Sequence, residues 1–284
     1  MPELPEVETI VRRLDSVLKN KLVVGIQVHR EKSFLGDFEL VKNQPIIKVS
    51  RRAKLIRFHF PNEINILAHL KMTGQFIFVS NKKRLGGGHP TADWVEELPS
   101  KHTRVSIGLI NNDQEESLFF NDMRVFGWLR VLTDDEVKTE YDKYGPDVNS
   151  PEATITYFNS KLKRTGRNIK QVVMDNKIIS GVGNIYACDG LNLAKINPTR
   201  AANSLSDQEA LVLLDALKHV IDLGIKLGGA TIENYKNVDG FSGGYQNEVL
   251  VYGREGEDCK NCTGIIQKIK LAGRGTYFCP NCQI

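Results

Sequence analysis

The sequence is short of cysteine and of long apolar runs, and both shortages limit what the chain can be. Only 5 of its 284 residues are cysteine, although 41% are hydrophobic. No apolar run is long enough to span a bilayer, and the acidic N-terminus lacks the basic start of a signal peptide. We therefore expect a cytoplasmic protein without membrane segments, in which disulfides are rare. The length is sufficient to bury one or two sizeable cores.

Acidic residues are scarce in two separate stretches. Between residues 42 and 84, Glu63 is the only acid against ten basic residues. From Cys259 to the C-terminus there are four basic residues and no acid. Two basic regions at opposite ends of a sequence favour a polyanion held between two parts of the protein. A run of charges is also typical of an ordinary solvated face, so this pattern alone is only suggestive.

The apolar pattern changes along the chain and predicts an α+β fold. Residues 1–133 begin with an amphipathic helix and continue as short, partly alternating segments, which favour an antiparallel β-sandwich or barrel. A polar, glycine-rich loop at 81–100 interrupts these strands. Residues 134–149 look like a linker. Residues 150–245 have helical periodicity, with Ser206 and Asp207 as a plausible N-cap for the last helix, and residues 246–284 form a cysteine-rich tail.

The opening MPELPEVET has two interpretations. Pro5 has the fixed φ suited to a first helical turn, and Glu6 and Glu8 complement the positive end of a helix dipole. On that interpretation the segment only starts a helix, and the sequence by itself favours it. A second interpretation, in which these residues carry chemistry, depends on the rest of the chain.

The tail carries the strongest local signal, the spacing C-x2-C-x16-C-x2-C. Four thiolates at this spacing suit a tetrahedral zinc ion, and four of them leave no open position for a substrate water. The site is therefore predicted to be structural, with a hairpin between the two cysteine pairs that turns at Ala272, Gly273 and Gly275. Its ligands are Cys259, Cys262, Cys279 and Cys282. Cys188 lies far from them and is predicted to be a small buried hydrophobe.

The segment GVGNIY offers a possible anion site. Gly181 and Gly183 allow a tight turn, and the helix that starts at Asn184 has free N–H groups that can bind phosphate. Lys170 lies one helix earlier and could reach the same anion. A plain helix-turn-helix corner fits the segment equally well.

Six motifs occur in one order along the chain: MPELPEVET, AHLKMTGQF, FNDMRVFG, SGVGNIY, LAKINP and AGRGTYFCPNCQ. Together they resemble the formamidopyrimidine-DNA glycosylases over essentially the whole sequence. The resemblance implies a helix-capped antiparallel β-sandwich at 1–133, a helix-two-turn-helix domain at 150–245 and a zinc finger at 246–284. It also implies a monomeric bacterial enzyme of the nucleoid that holds damaged double-stranded DNA between its lobes. Such an enzyme excises oxidised purines, such as 8-oxoguanine and formamidopyrimidines, and then cleaves the abasic strand.

The same resemblance implies roles for particular residues. Pro2 matches the amine that forms a Schiff base with the sugar, and Glu3 matches the general acid/base. Lys54 matches a proton donor and phosphate contact, and Arg274 a phosphate contact that assists δ-elimination. Further residues match DNA contacts or side chains inserted into the duplex: Met72, His102, Arg124, Phe126, Lys170, Asn184 and Tyr252. The segment Tyr235 to Tyr245 matches a loop that closes over the extruded base.

Three departures and two alternatives qualify the resemblance. Val125 stands where the family commonly has a basic residue, Asp189 and Gly190 stand where it usually has a Glu and an apolar residue, and the 81–100 loop is long. One alternative is an enzyme resembling endonuclease VIII, which prefers oxidised pyrimidines. PELPE and the joint presence of Met72, Arg124 and Phe126 favour the purine enzyme instead. The other alternative is a non-enzymatic, damage-sensing DNA-binding protein, which an intact Pro2 and Glu3 argue against.

Overall fold

The computed structural model of the chain describes residues 2–81, 83–88, 97–112, 114–230 and 243–284. The chain forms two compact units, one made of Met1–Asp142 with Leu227–Gly244 and the other of Lys143–Lys226 with Tyr245–Ile284. The stretch Leu227–Gly244, which falls within the predicted helical part 150–245, therefore groups with the first unit. In the described part of the chain, no helix has the length and apolar character needed to cross a bilayer.

The first unit is a β-sandwich with two α-helices in its described part. In chain order the elements are α1 (Leu4–Leu18), β1 (Leu22–Val28), β2 (Phe34–Leu35), β3 (Lys48–Arg52), β4 (Leu55–His59), β5 (Ile64–His69), β6 (Gly74–Ser80), β7 (Lys83–Gly88), β8 (Thr103–Asn111), β9 (Gln114–Asp122), β10 (Trp128–Thr133) and α2 (Asp134–Tyr141). One sheet has the strand order β1-β8-β9-β6-β7 and the other β2-β10-β5-β4-β3. The predicted sandwich is confirmed. Its pairings are antiparallel except for the short parallel pair of β2 with β10.

The core of this unit lies between the two sheets and beneath α1. Phe58 of β4 packs edge-on against Phe76 of β6 at 5.4 Å between ring centroids, and Phe76 in turn contacts Phe120 of β9 at 5.3 Å. The apolar stripe predicted for the first helix is confirmed, since its members are buried in the same core: Val7, Ile10, Val11, Leu14 and Leu18. Core side chains alternate along each strand and recur every three to four residues along α1, so each element buries one face.

Local turns divide segments that the sequence pattern left continuous. The run IIKVSRRAKLIRFHF forms two strands, because Ala53 adopts a left-handed φ of +55° and reverses the chain between β3 and β4. The start of the 81–100 loop forms strand β7, and residues 89–96 lie outside the described part. The segment 134–149, expected to be a linker, begins with α2, whose N-terminus is closed by a reciprocal capping box between Thr133 and Glu136.

The second unit is helical and ends in a two-stranded hairpin. Its elements are α3 (Ile155–Leu162), α4 (Ile169–Val173), α5 (Asn184–Leu193), α6 (Asp207–Lys226), β11 (Gln267–Leu271) and β12 (Arg274–Phe278). The N-cap predicted for the last helix is confirmed, since the Ser206 hydroxyl accepts a hydrogen bond from Glu209 N–H at 3.2 Å. The predicted hairpin turns at Ala272 and Gly273, both with the positive φ of a type I′ turn, whereas Gly275 lies in β12.

Candidate active site and metal centre

The N-terminal segment caps the helix that it begins. Glu3 is the N-cap of α1, with Pro5 in the first turn, and it forms a reciprocal capping box with Glu6. Its backbone N–H donates to Glu6 Oε2 at 2.8 Å. Pro2 is buried, and Glu3 is only 4% exposed. Pro2 and Glu3 are therefore both buried at the positive end of α1.

Glu6 also reaches a distant part of the first unit. Its Oε1 accepts a hydrogen bond from the backbone N–H of Ala230 at 2.8 Å. A side chain on Gly229 would collide with this carboxylate, since a Cβ there would lie 2.8 Å from Glu6 Oε1. Ala230 directly precedes residues 231–242, which lie outside the described part together with most of the predicted loop Tyr235 to Tyr245. Glu6 therefore bonds both to the helix N-terminus and to the residue where that segment begins.

Lys54 lies in the turn between β3 and β4, the strands on which α1 packs. It is 4% exposed. An ion pair between Glu8 Oε2 and Arg51 Nε at 2.8 Å ties the early part of α1 to the end of β3. The pKa of Glu8 is lowered: burial acts to raise it, but the hydrogen bonds and charges of Arg51 and Arg12 outweigh burial. This pair places the first turns of the helix beside the turn that carries Lys54.

Met72, Arg124 and Phe126 lie on two neighbouring loops at one end of the sandwich. Met72 is 40% exposed and Phe126 is 53% exposed, so neither is a core side chain. The Arg124 guanidinium lies over the Phe126 ring, 5.0 Å from its centroid. His102 lies close to the second of these loops, because its backbone carbonyl oxygen accepts a hydrogen bond from Asp122 N–H at 2.9 Å. The structure thus brings together four of the residues matched to DNA contacts.

Asp122, to which sequence analysis gave no role, holds these loops. It is fully buried, and its carboxylate accepts hydrogen bonds from the backbone N–H groups of Arg124, Phe126 and Gly127 and from the Thr73 hydroxyl. An Asp at a strand end commonly accepts from the N–H two residues on. That local signal was present in the sequence, whereas the bond to Thr73 spans 49 residues and had no local signal.

The four predicted cysteine ligands form one cluster in the second unit. Their Sγ atoms all lie within 4.8 Å of one another, with Cys259 and Cys282 at 3.8 Å and Cys262 and Cys279 at 3.5 Å. Tetrahedral zinc with Zn–S bonds of about 2.3 Å separates its sulfurs by about 3.8 Å. The backbone N–H groups of Asn261 and Gly264 point at Cys259 and Cys262 Sγ at 3.4 and 3.3 Å. The cluster fits a four-thiolate metal site.

Lys170 and Asn184 both bind the hairpin that follows the first cysteine pair. Lys170 is 2% exposed, and its Nζ donates to Thr276 Oγ1 at 2.7 Å and to Gly275 O at 3.2 Å. Asn184 Nδ2 donates to the same carbonyl oxygen at 3.0 Å. Arg274, one residue before Gly275, is exposed at the hairpin turn. Three residues matched to phosphate contacts are therefore adjacent, and two of them fix the strand that carries the third.

Two departures from the family pattern have structural explanations. The buried Asp189 carboxylate accepts from the Tyr245 hydroxyl at 3.0 Å and from the N–H groups of Leu250, Val251 and Tyr252. It therefore orders the segment that carries Tyr252. Burial raises the pKa of Asp189, while these donors act to lower it. A Cβ on Gly190 would lie 2.7 Å from the Leu217 side chain, so this glycine lets α5 pack closely on α6.

Cys188 is confirmed as a buried helical residue. It is 1% exposed and packs with Val251, Ile266 and two of the cluster cysteines. Burial raises the pKa of its thiol to about 11. A thiol in that state is neutral and poorly nucleophilic at neutral pH.

Comparison with known proteins matches both units. Family models match as "Formamidopyrimidine-DNA glycosylase N-terminal domain" at residues 1–129, "Formamidopyrimidine-DNA glycosylase H2TH domain" at 144–236 and "Zinc finger found in FPG and IleRS" at 256–284. The formamidopyrimidine-DNA glycosylase of Listeria monocytogenes is 36% identical over 291 residues, covering 100% of both chains. That of Lactobacillus johnsonii is 33% identical, covering 100% of this chain and 99% of the relative.

Solved structures agree with the sequence comparisons. A Lactococcus lactis FPG variant in complex with DNA containing Fapy-dG superposes with a TM-score of 0.87 at 31% identity, covering 99% of each chain. The Lactococcus lactis Fpg bound to DNA with an abasic site superposes with a TM-score of 0.86 at 30% identity, covering 100% of each chain. A capped β-sandwich, a helix-two-turn-helix domain and a four-cysteine finger in this order define a DNA repair glycosylase. The chain belongs to the formamidopyrimidine-DNA glycosylase family.

Proposed function

We propose that this enzyme excises oxidised purines, including 8-oxoguanine and formamidopyrimidines, from duplex DNA and then cleaves the abasic strand by β,δ-elimination. The observation that carries the proposal is the placement of Pro2 and Glu3 at the capped N-terminus of α1, within the family match that begins at residue 1. It acts as a monomer in the bacterial cytoplasm, on nucleoid DNA and away from membranes.

Pro2 is the nucleophile, once Met1 has been removed. An α-amino group titrates at about 8, well below a lysine, so a useful fraction of it, roughly a tenth at pH 7, is unprotonated. The positive end of α1 disfavours added positive charge and lowers that pKa further. The nitrogen lone pair attacks C1′ of the sugar, and the base leaves with the electrons of the glycosidic bond. Loss of the amine proton and opening of the sugar ring then give an iminium, which makes the C2′ proton acidic enough for elimination.

Glu3 moves the protons of this reaction. Its carboxyl group lies directly beside the nucleophile along the chain and is nearly fully buried. A buried carboxyl group in contact with the sugar can donate to the ring oxygen as the ring opens and accept from the amine. Lys54, in the turn next to the first turns of α1, donates a proton and contacts a phosphate.

The remaining matched residues hold the DNA. Arg274 is an exposed cation at a hairpin turn and contacts phosphate, where it also assists δ-elimination. Lys170 and Asn184 belong to the same phosphate site, supported by their shared hydrogen bonds to Gly275. His102 and Tyr252 contact the DNA backbone. Phosphate contacts of this kind position the duplex without reading its sequence.

Met72, Arg124 and Phe126 fill the duplex where the damaged nucleotide leaves it. Extruding a stacked base costs a few kcal/mol, and side chains that take its place offset part of this cost. Their exposure and their clustering at the loops beside β6 and β9 support this role. The four-cysteine cluster binds one zinc ion, whose contribution is to fold the finger and not to react, because four thiolates complete its coordination.

An incision assay tests the function directly. Three duplexes carry 8-oxoguanine, thymine glycol or a preformed abasic site at the same position. We expect the purine lesion and the abasic site to be cut, and thymine glycol to be cut much more slowly. Preferential cutting of thymine glycol would contradict the purine assignment, and binding of all three without cutting would contradict catalysis.

A further inference from the structure

The Asp122 carboxylate is a junction between the two loops that carry Met72, Arg124 and Phe126. Oδ1 accepts from Arg124 N–H at 3.1 Å and from the Thr73 hydroxyl. Oδ2 accepts from Phe126 N–H at 2.7 Å and from Gly127 N–H at 2.6 Å. The side chain is fully buried. A buried carboxylate is stable only when such donors compensate for its lost hydration.

Thr73 extends the junction to the first loop. Its Oγ1 accepts from Arg124 N–H at 3.0 Å while its hydroxyl proton is donated to Asp122. Thr73 directly follows Met72, so the backbone that carries Met72 is bonded to the backbone that carries Arg124. On the other side of Met72, Lys71 has a left-handed φ of +52°, and its N–H donates to His69 Nδ1 at 3.0 Å.

The tip of the second loop needs this support. Val125 has a φ of +57°, a left-handed conformation that is a genuine outlier for a β-branched residue. Strained backbone persists where surrounding contacts over-determine it. The N–H groups on both sides of Val125, those of Arg124 and Phe126, end on the two oxygens of Asp122. The carboxylate therefore holds the loop in a conformation that Val125 alone would leave.

Met72, Arg124 and Phe126 are all exposed, so the core does not enclose their side chains. Their placement depends on the backbone of their loops and, for Arg124 and Phe126, also on their contact with each other. We propose that Asp122 is a positioning residue that locks both loops, so that Met72, Arg124 and Phe126 enter the duplex together. The proposal rests on the insertion role proposed above for these side chains.

The test compares two substrates under single-turnover conditions. Asp122→Asn keeps the shape but loses one acceptor oxygen and turns an amide donor toward the N–H groups. We expect excision of 8-oxoguanine paired with cytosine to slow about tenfold more than cleavage of a preformed abasic site. Thr73→Val should shift the same ratio in the same direction. Thr73→Ser keeps the hydroxyl and should leave the ratio as it is in the unaltered protein. Borohydride trapping on abasic DNA gives the active fraction of each preparation, so misfolded protein does not enter the ratio.

A double-mutant cycle separates positioning from general destabilisation. In a Met72→Ala background the added effect of Asp122→Asn on the ratio should largely vanish, because the positioned side chain is already missing. Asp15→Asn is the matched control, since Asp15 Oδ1 also accepts from a backbone N–H of the same unit, that of Val49 at 2.6 Å. This control should slow both substrates equally or not at all.

Three outcomes distinguish the possibilities. If Met72→Ala shifts the ratio and Asp122→Asn does not, the positioning role is wrong while the insertion role stands. If the effects of Asp122→Asn and Met72→Ala multiply, Asp122 acts independently of insertion and the inference is overturned. If Met72→Ala leaves the ratio unchanged, the insertion role fails and the inference fails with it, although cleavage of abasic DNA would still support the proposed function.

Discussion

Glu6 Oε1 accepts a hydrogen bond from the backbone N–H of Ala230 at 2.8 Å, although the two residues are 224 positions apart. The other oxygen of the same carboxylate accepts from Glu3 N–H at 2.8 Å. One buried side chain therefore connects the N-cap of α1 with the point where residues 231–242 begin. The bond from Glu3 N–H shows that Glu6 caps the helix in whose first turn the sequence placed it, and the bond from Ala230 N–H adds a long-range contact.

This relationship predicts a graded loss of stability. Glu6→Ala leaves two N–H groups without this acceptor, and each loss of a buried partner costs about 1–3 kcal/mol. Glu6→Gln keeps one acceptor oxygen and should cost less. Urea denaturation followed by tryptophan fluorescence measures the effect, because Trp94 and Trp128 both belong to the N-terminal stretch. The exposed Glu31→Gln is the control. Equal stability of Glu6→Ala and the unaltered protein would contradict the two bonds.

A second prediction concerns pH. Burial lowers the pKa of His69 to about 3, and Lys71 and Lys54 act in the same direction. The His69 imidazole is therefore protonated below about pH 6.5 in the unfolded chain but only below about pH 3 in the folded chain. Stability from this group is complete above pH 6.5 and is lost as the pH falls from 6.5 toward 3.

His69→Asn tests that sign, because an Asn carbonyl can accept from Lys71 N–H without titrating. Between pH 7 and about pH 4.5, the unaltered protein should lose about 2 kcal/mol more unfolding free energy than the variant. His59, whose pKa burial lowers to about 4, is present in both proteins and cancels in the comparison. Urea denaturation followed by circular dichroism at both pH values gives the difference. Parallel losses would show that His69 is not held neutral.

The cysteine cluster predicts dependence on metal. Cys279→Ser removes one of four sulfur ligands, so the finger should lose its zinc and, with it, the folded hairpin that carries Arg274. Elemental analysis by mass spectrometry should find well under one zinc per chain, and DNA affinity should fall. Cys188→Ala is the control, because Cys188 is buried close by but lies outside the cluster. One zinc per chain in Cys279→Ser would show that the site is misassigned.

Salt dependence tests the proposed phosphate contacts. Each phosphate neutralised by a cation releases counterions, so log affinity falls linearly with log salt. Lys54→Ala and Arg274→Ala should each make that slope shallower by about one unit. Lys19→Ala, at the C-terminal end of α1, should leave it unchanged. Unchanged slopes for both test variants would place the DNA elsewhere on the protein.

The sequence predicted those features that local patterns encode. Apolar periodicity gave the buried stripe of α1, alternation gave the sandwich strands, and spacing gave the cysteine cluster. Each of these depends on residues close together in the chain. The same is true of the Ser206 cap and the turn at Ala272 and Gly273.

Features that depend on contacts between residues far apart in the chain could not be predicted from local sequence patterns. Lysine side chains are usually exposed, yet Lys170 is buried and donates to Thr276, which is 106 residues away in the chain. Asp122 lies within one of the six motifs, but its bond to Thr73 depends on the pairing of β6 with β9, which the sequence did not predict. Asp189 was noted only as a departure from the family pattern. Residue types suggest a site, whereas the choice of hydrogen-bond partners is made by the tertiary fold.

The central claim is that the nitrogen of Pro2 attacks the sugar. The most direct measurement is borohydride trapping on abasic DNA, with peptide mapping of the adduct, for the mature protein and for one whose Pro2 nitrogen is blocked by an uncleavable N-terminal extension. An acylated nitrogen has no basic lone pair, so the extended protein should still bind the DNA but neither trap nor cleave it. The mature protein should form an adduct through Pro2. Equal cleavage by both proteins, with an adduct on a lysine such as Lys54, would contradict the claim.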